Sequence, residues 1–191
     1  MNSSKYSTQD DLILNNLLAF YKTDIDGEFN PSNNLDKMLK IITGESNISI
    51  RIIDWFVTNY SKQYYVVYTI PSGERFKVYN NYKLMVKGYS KERFDPFCRM
   101  TRISIPYKNG DSIETTIGQL NFFKWVLENN IIEYIQRYYE DIEKDMNIRL
   151  NNSKRNKLAI DNKTRKKREE LSVSATKSIK KEKVEIVVRF N

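Results

Sequence analysis

Cys98 lies between Phe97 and Arg99, with Arg102 four positions further on, and it is the one cysteine of the chain. Guanidinium groups beside a thiol lower its pKa and favour the nucleophilic thiolate. A cysteine next to a phenylalanine also serves as a small buried hydrophobe, and that role is the expectation here. Glu140, Asp141, Glu143 and Asp145 crowd one stretch. They would hold a metal only if they converged with further ligands. A solvated acidic face paired with basic residues of the C-terminus is expected instead. Arg51, Arg93, Arg99 and Arg102 stand among aromatic residues. Arginine forks onto phosphate or stacks on a base, and it equally fixes a loop by bonding a carboxylate. Arg51 is expected to pair with Asp54. Arg99 and Arg102 stay open between the two roles, as a possible second nucleic-acid-binding surface.

The chemistry that is missing narrows the field. Without a histidine there is no Ser-His-Asp or Cys-His set, and the commonest metal ligand is absent. One cysteine cannot build a zinc site. No glycine-rich phosphate loop of P-loop or Rossmann spacing occurs. Asp24-Ile25-Asp26-Gly27 resembles a fragment of a calcium loop but lacks the later oxygen ligands, so it reads as an acidic turn. No catalytic residue, metal or cofactor is implied, and a non-catalytic protein is expected.

Charge is the most informative remaining feature. Residues 1–150 hold 19 Lys and Arg against 19 Asp and Glu, whereas residues 151–191 hold 13 against 5. The net charge of +8 therefore belongs to the last 41 residues. A neutral body with a basic appendage meets a polyanion or an acidic surface through the appendage. Lys163, Arg165, Lys166, Lys167 and Arg168 are the candidate phosphate contacts, with Lys177, Lys180, Lys181 and Lys183 behind them. The same run has the composition of a nuclear import signal. No apolar stretch reaches the roughly 18 residues of a membrane span. The N-terminus has no apolar region of the kind a signal peptide carries. The single cysteine fits a reducing compartment.

The elements that position these residues follow from periodicity and turn chemistry. Thr8 or Asp10 caps a helix through about Lys22, with an apolar stripe of Leu12, Leu14, Leu17, Leu18 and Tyr21. A short helix runs from about Leu35 to Ile42 and ends at Gly44. Ser46, Asn47 or Ser49 caps a helix through about Lys62, in which Ile50, Ile52, Ile53, Phe56, Val57 and Tyr60 share one arc. Tyr64–Ile70 and Phe76–Val86 read as two strands joined by a Pro71–Glu74 turn. Arg102–Tyr107 and Ile113–Ile117 read as a second hairpin through Asn109-Gly110. A helix follows from Gln119 to about Glu128, with Trp125 at the edge of its apolar arc, partly buried, its indole N–H on an acceptor. After Asn129-Asn130 the pattern changes phase and continues helically to about Asn147. Val184–Phe190 alternates as a terminal strand that could join the edge of the body's sheet. Phe94–Ile135 is the densest aromatic stretch and is expected to form the core.

Three blocks carry a resemblance. Ile50-Arg51-Ile52-Ile53-Asp54-Trp55-Phe56-Val57-Thr58-Asn59-Tyr60-Ser61, Phe94-Asp95-Pro96-Phe97-Cys98-Arg99 and Gly118-Gln119-Leu120-Asn121-Phe122-Phe123-Lys124-Trp125 resemble segments of an uncharacterised protein family of nucleocytoplasmic large DNA viruses. The resemblance covers roughly residues 35 to 190. It supplies no catalytic residues and implies a viral, intracellular setting: the host cytoplasm, the virion or the nucleus.

The resulting expectation is an α+β fold, with an antiparallel sheet of about four strands packed by helices. Residues 1–150 form the body and 151–191 a basic arm ending in a short strand. The expected function is that of a viral nucleic-acid-binding accessory or virion-associated protein, gripping DNA or RNA phosphate through the arm. The alternative is an assembly protein that docks on an acidic viral protein through its C-terminal strand. No membrane partner is implied.

Overall fold

The computed structural model describes residues 8–22, 34–107, 111–158 and 181–183. The helix α1 (Gln9–Lys22) opens with a reciprocal cap: the Asp11 N–H donates to Thr8 Oγ1 and the Thr8 N–H to Asp11 Oδ2. The next helix, α2 (Asn34–Thr43), ends at Gly44, whose φ of 83° supplies the left-handed turn. Ser49 caps α3 (Ile50–Trp55) by accepting from the Ile52 N–H. The chain then widens into a π-helix over Phe56–Tyr60 before the single turn α4 (Ser61–Gln63). The apolar arc expected here is buried at Ile50, Ile52, Ile53, Phe56 and Val57.

Two hairpins follow the sequence signals, but they do not join. β1 (Val67–Thr69) pairs antiparallel with β2 (Arg75–Lys77). Tyr68 and Phe76 face the core, while Val67, Arg75 and Lys77 are exposed. β3 (Ile103–Pro106) pairs with β4 (Asp111–Thr115). β5 (Lys181–Lys183) lies antiparallel along β4, with Lys183 opposite Asp111. The described residues are thus mostly helical, with two small antiparallel sheets in place of the single four-stranded sheet expected.

The cause is the segment read as a long second strand. Only Arg75–Lys77 is strand; Val78–Tyr89 forms the helix α5. Val78 is fully buried, and Tyr82, Met85, Val86 and Tyr89 pack on the core. Those positions repeat at helical spacing, so the period outweighs the β-leaning valines and tyrosines.

The centre of the molecule is α6 (Ile117–Glu128), in which Leu120, Phe122, Phe123, Trp125 and Val126 are buried. A helix apolar around most of its circumference has to be enclosed. Tyr21 of α1 donates from its hydroxyl to the Leu120 carbonyl at 2.8 Å. Rings extend the core in both directions from Trp125, through Phe94 and Tyr82 on one side and through Phe76, Tyr68, Tyr134 and Phe56 on the other. After a left-handed Asn130 (φ 52°) come α7 (Ile131–Arg137) and α8 (Tyr139–Leu158). The expected helical stretch is therefore two helices. The second continues past Asn147 and across Leu150, so Lys154, Arg155 and Lys157 lie on its last turns. The acidic turn at residues 24–27, the basic run at 163–168 and the terminal strand at 184–190 lie outside the described residues.

Candidate functional site

Two of the blocks singled out in the sequence meet in space. Phe94, Asp95, Pro96, Phe97 and Cys98 are all buried and are stitched to the start of α6. The Asp95 N–H donates to the Gly118 carbonyl at 3.1 Å, and Gln119 Nε2 donates to the Pro96 carbonyl at 2.9 Å. Asn121 Nδ2 reaches the Arg93 carbonyl at 2.9 Å. Thr116 caps α6 by accepting from the Gln119 N–H. Gly118 is required by contact: a Cβ there would stand 2.7 Å from the Glu92 carbonyl oxygen.

Asp95 is the hub of this junction. It accepts from both Nε and Nη2 of Arg99 and from the Phe97 N–H. Of the two roles open to Arg99, the geometry shows the loop-fixing one, with the guanidinium also over the Phe97 ring at 5.5 Å. Arg102 is likewise engaged, Nη1 donating to Glu114 across the β3–β4 hairpin at 3.0 Å. Both arginine side chains keep about half their surface exposed, 47% each. Cys98 is buried, with φ 47°, which fits the role of a small hydrophobe. Arg93 reaches Asp10 on α1.

Asp54 is the most perturbed carboxyl near this junction. Burial, and then the Asp95 charge, push its pKa up to about 6, against a smaller opposing pull from Arg99. The charges that shift it are those of Asp95 and Arg99. Tyr82 lies in the same field; burial first, then Asp54 and Asp95, push its hydroxyl up to about 12. A carboxyl that titrates near pH 6 can exchange protons at physiological pH. Asp95 itself is saturated by its internal donors, so the cluster's evident work is to hold the junction together.

The sign of the Asp54 effect can be worked out. The folded chain keeps this proton to higher pH than the unfolded chain, whose aspartate titrates near 3.8. The stability it confers is complete below that value and is lost as pH rises through about 6. Asp54→Asn should therefore stabilise the protein at pH 7 by about 1–2 kcal/mol and flatten the stability profile between pH 4 and 6. Urea midpoints at several pH values test this. Equal midpoints at pH 7 would mean a well-solvated carboxylate.

The acidic stretch of α8 is solvated only in part: Glu140 and Asp141 are exposed, whereas Glu143 and Asp145 are engaged by neighbours. Asp145 accepts from the Trp55 indole at 2.9 Å, from Arg149 Nε at 2.8 Å and from the Tyr64 hydroxyl at 3.2 Å. It clamps α8 to the end of α3 and to the turn after α4. Glu143 accepts from the Tyr139 hydroxyl. Among the described residues no group of three or more His, Cys, Asp or Glu is placed to hold a metal ion, and no helix is long and apolar enough to cross a membrane.

Of the candidate phosphate contacts, Lys163, Arg165, Lys166, Lys167, Arg168, Lys177 and Lys180 lie outside the described residues, while Lys181 and Lys183 belong to β5. One feature escaped the sequence reading. Helix α4 ends with the Val66 N–H bonded to the Ser61 carbonyl at 3.2 Å, a Schellman closure. The left-handed position of that motif, normally glycine, is filled by Tyr65 (φ 50°). Its side chain is 86% exposed. It borders a groove of about 470 Å³ between the α4 turn, β1, β2 and the start of α5. The signal was present as two consecutive tyrosines after Gln63, hidden because they read as the start of a strand.

The sequence matches a known family over nearly its whole length. A family model described as a family of unknown function, DUF7197, covers residues 1–190. The chain belongs to the DUF7197 family. It is also 43% identical, over 153 residues, to "Uncharacterized protein L507" of Acanthamoeba polyphaga mimivirus. That alignment takes in 76% of this chain and 56% of the relative, so the chain spans a little over half of the relative's length. The resemblance to a giant-virus family read from the sequence therefore holds. No solved structure matches the chain.

Proposed function

We propose that this protein is a non-catalytic nucleic-acid-binding accessory or virion-associated protein of a giant virus, contacting phosphate through its basic C-terminal arm. The observation that supports this is the partition of charge: the first 150 residues are neutral and the last 41 carry the whole +8. Binding of this kind is insensitive to sequence and steeply dependent on salt, because each neutralised phosphate releases condensed counterions. The virion, the cytoplasmic viral factory and the nucleus are all settings in which such an arm would meet DNA or RNA.

Because α8 runs to Leu158, the informative truncation ends there rather than at Leu150. A chain ending at Leu158 should lose most of its affinity for any duplex. In the intact protein log K should fall linearly with log salt, by about 0.9 per phosphate neutralised. Arg165→Ala, Lys166→Ala, Lys167→Ala and Arg168→Ala together should make that slope shallower on two unrelated duplexes alike. Fluorescence anisotropy over a salt series measures both effects. Equal affinity of truncated and intact chains would remove the arm from the binding surface.

A second reading has one observation in its favour. β5 adds to the free edge of β4, so this part of the chain forms strand-addition contacts. The same strand on another protein would make the chain an assembly component, with the arm's lysines facing an acidic partner. Co-purification from infected cells, with and without nuclease, separates the two readings.

A further inference from the structure

The groove beside Tyr65 is lined by Lys62, Tyr65, Lys77 and Tyr79 among others, and no lining residue is acidic. Its volume of about 470 Å³ is in the range of sites that take small ligands, roughly 300–1,000 Å³. The Tyr79 ring is flanked by two ammonium groups, Lys62 Nζ and Lys83 Nζ, each 5.7 Å from its centroid. Lys77 lines the groove, and Arg75 is exposed two residues before it on β2. Among the described residues, no carboxylate forms an ion pair with Lys62, Arg75, Lys77 or Lys83. The nearest acidic residue in the chain is the exposed Glu74, which precedes Arg75 in the β1–β2 turn and is not part of the groove lining.

Two features separate this place from an ordinary basic surface. The first is Tyr65 itself. A bulky residue in the left-handed region is a backbone outlier that the surrounding structure must support. Here it occupies the glycine position of a helix stop and presents its ring to solvent rather than to the core. The fold gains nothing in burial from that choice. The second is the alternation of phenol rings with ammonium groups across one opening. That pattern offers flat faces for bases and cations for the intervening phosphates. Bases in a duplex are already stacked on each other, so the rings serve only a strand whose bases are free.

We propose that this groove binds single-stranded nucleic acid, a base stacking on Tyr65 and the neighbouring phosphates lying on Lys62 and Lys77, with the Tyr79 ring holding the Lys62 ammonium in place. This deepens the nucleic-acid reading and rests on it, but it assigns the body a contact of its own, distinct from the arm. An acidic protein segment would satisfy the lysines and leave the rings without a partner.

The test uses the full chain and a fluorescein-labelled oligo-dT of about 20 nucleotides, against a duplex of the same length, by anisotropy. Tyr65→Gly is the decisive variant, because glycine suits the left-handed position and should raise the urea midpoint while removing the ring. Expected is a loss of about tenfold in oligo-dT affinity, with duplex affinity unchanged. Tyr79→Leu should act in the same direction. If Tyr65→Gly and Tyr79→Leu both bind oligo-dT as the native chain does, while the four-residue arm variant loses binding, the groove proposal is overturned and the arm reading stands. If the groove variants lose oligo-dT and the arm variant keeps the duplex, the groove stands and the arm reading fails. If the native chain binds neither probe at low salt, both fall. Binding of poly-glutamate that depends on Lys62 and Lys77 but not on Tyr65, in that last case, would assign the groove to an acidic protein instead.

Discussion

Trp125→Ala should cost about 3–5 kcal/mol of folding stability, as truncations of fully enclosed large aromatics do. The side chain is 3% exposed. Its ring touches Phe76, Tyr82, Phe94 and Phe122 at centroid distances between 5.6 and 6.1 Å. Its indole N–H donates to Asn81 Oδ1 at 2.7 Å. The substitution therefore opens a cavity where α5, α6, β2 and the Phe94 segment converge, and it leaves the Asn81 oxygen without its donor. Against a total of about 5–15 kcal/mol for a typical domain, that loss brings the chain close to unfolding. Trp125→Phe keeps most of the packing and should cost much less. Urea unfolding followed by far-UV circular dichroism measures both. Midpoints that barely move would show that the ring network tolerates a hole at its centre.

Gly118 gives the second large effect, by a different physical route. Alanine in a helix recovers up to about 1 kcal/mol of propensity relative to glycine. Here the added Cβ would also stand 2.7 Å from the Glu92 carbonyl and 3.3 Å from the Asp95 N–H nitrogen. Both neighbours are backbone, and the Asp95 N–H is itself bonded to the Gly118 carbonyl. The contact can be relieved only by pulling the two segments apart, at about 1–3 kcal/mol or more. Gly118→Ala should therefore come out destabilising in spite of its helix propensity, and Gly118→Val more so, by at least about 2 kcal/mol. A Gly118→Ala protein more stable than the native one would mean that the Glu92–Asp95 segment yields without cost.

How much of this was legible depends on the range of the cause. Thr8 and Ser49 announce helix starts through bonds to residues three positions away, Gly44 announces a helix end through its left-handed backbone, and the structure places the ends there. The β3–β4 pairing was legible because both segments alternate and stand close together in the chain, although the Asn109-Gly110 turn expected between them lies outside the described residues. Arg99 pairing with Asp95 is also local, four residues apart. The sequence misled at Val78–Tyr89, where residue types favour a strand and spacing favours a helix; only the buried face decides between them. That error also merged two small sheets into one. Asp54 could not have been read at all, because its pKa is set first by burial in the fold and then by Asp95 and Arg99, some forty residues distant. Asp145 was misjudged for the same reason: Trp55 and Tyr64, which occupy it, are remote in the chain. Of the candidate site, the charge partition was legible in full, and the Tyr65 groove was not, since the two tyrosines after Gln63 read as the start of a strand and the left-handed turn that exposes the second of them shows only in the fold.

The π-helix at Phe56–Tyr60 has a bearing on that groove. The Ser61 N–H reaches back five residues to the Phe56 carbonyl, so this turn holds one residue more than an α-turn. One residue corresponds to about 100° of rotation about the helix axis. Everything downstream is thus dialled around by that angle relative to an unbroken α-helix begun at Ile50. In the resulting phase the Tyr64 hydroxyl meets Asp145 and Tyr65 opens onto the groove. The widened turn works as a phase shifter. It lets the first half of the helix be aimed by its apolar face toward the core, and the second half be aimed independently, by a single extra residue, at the surface.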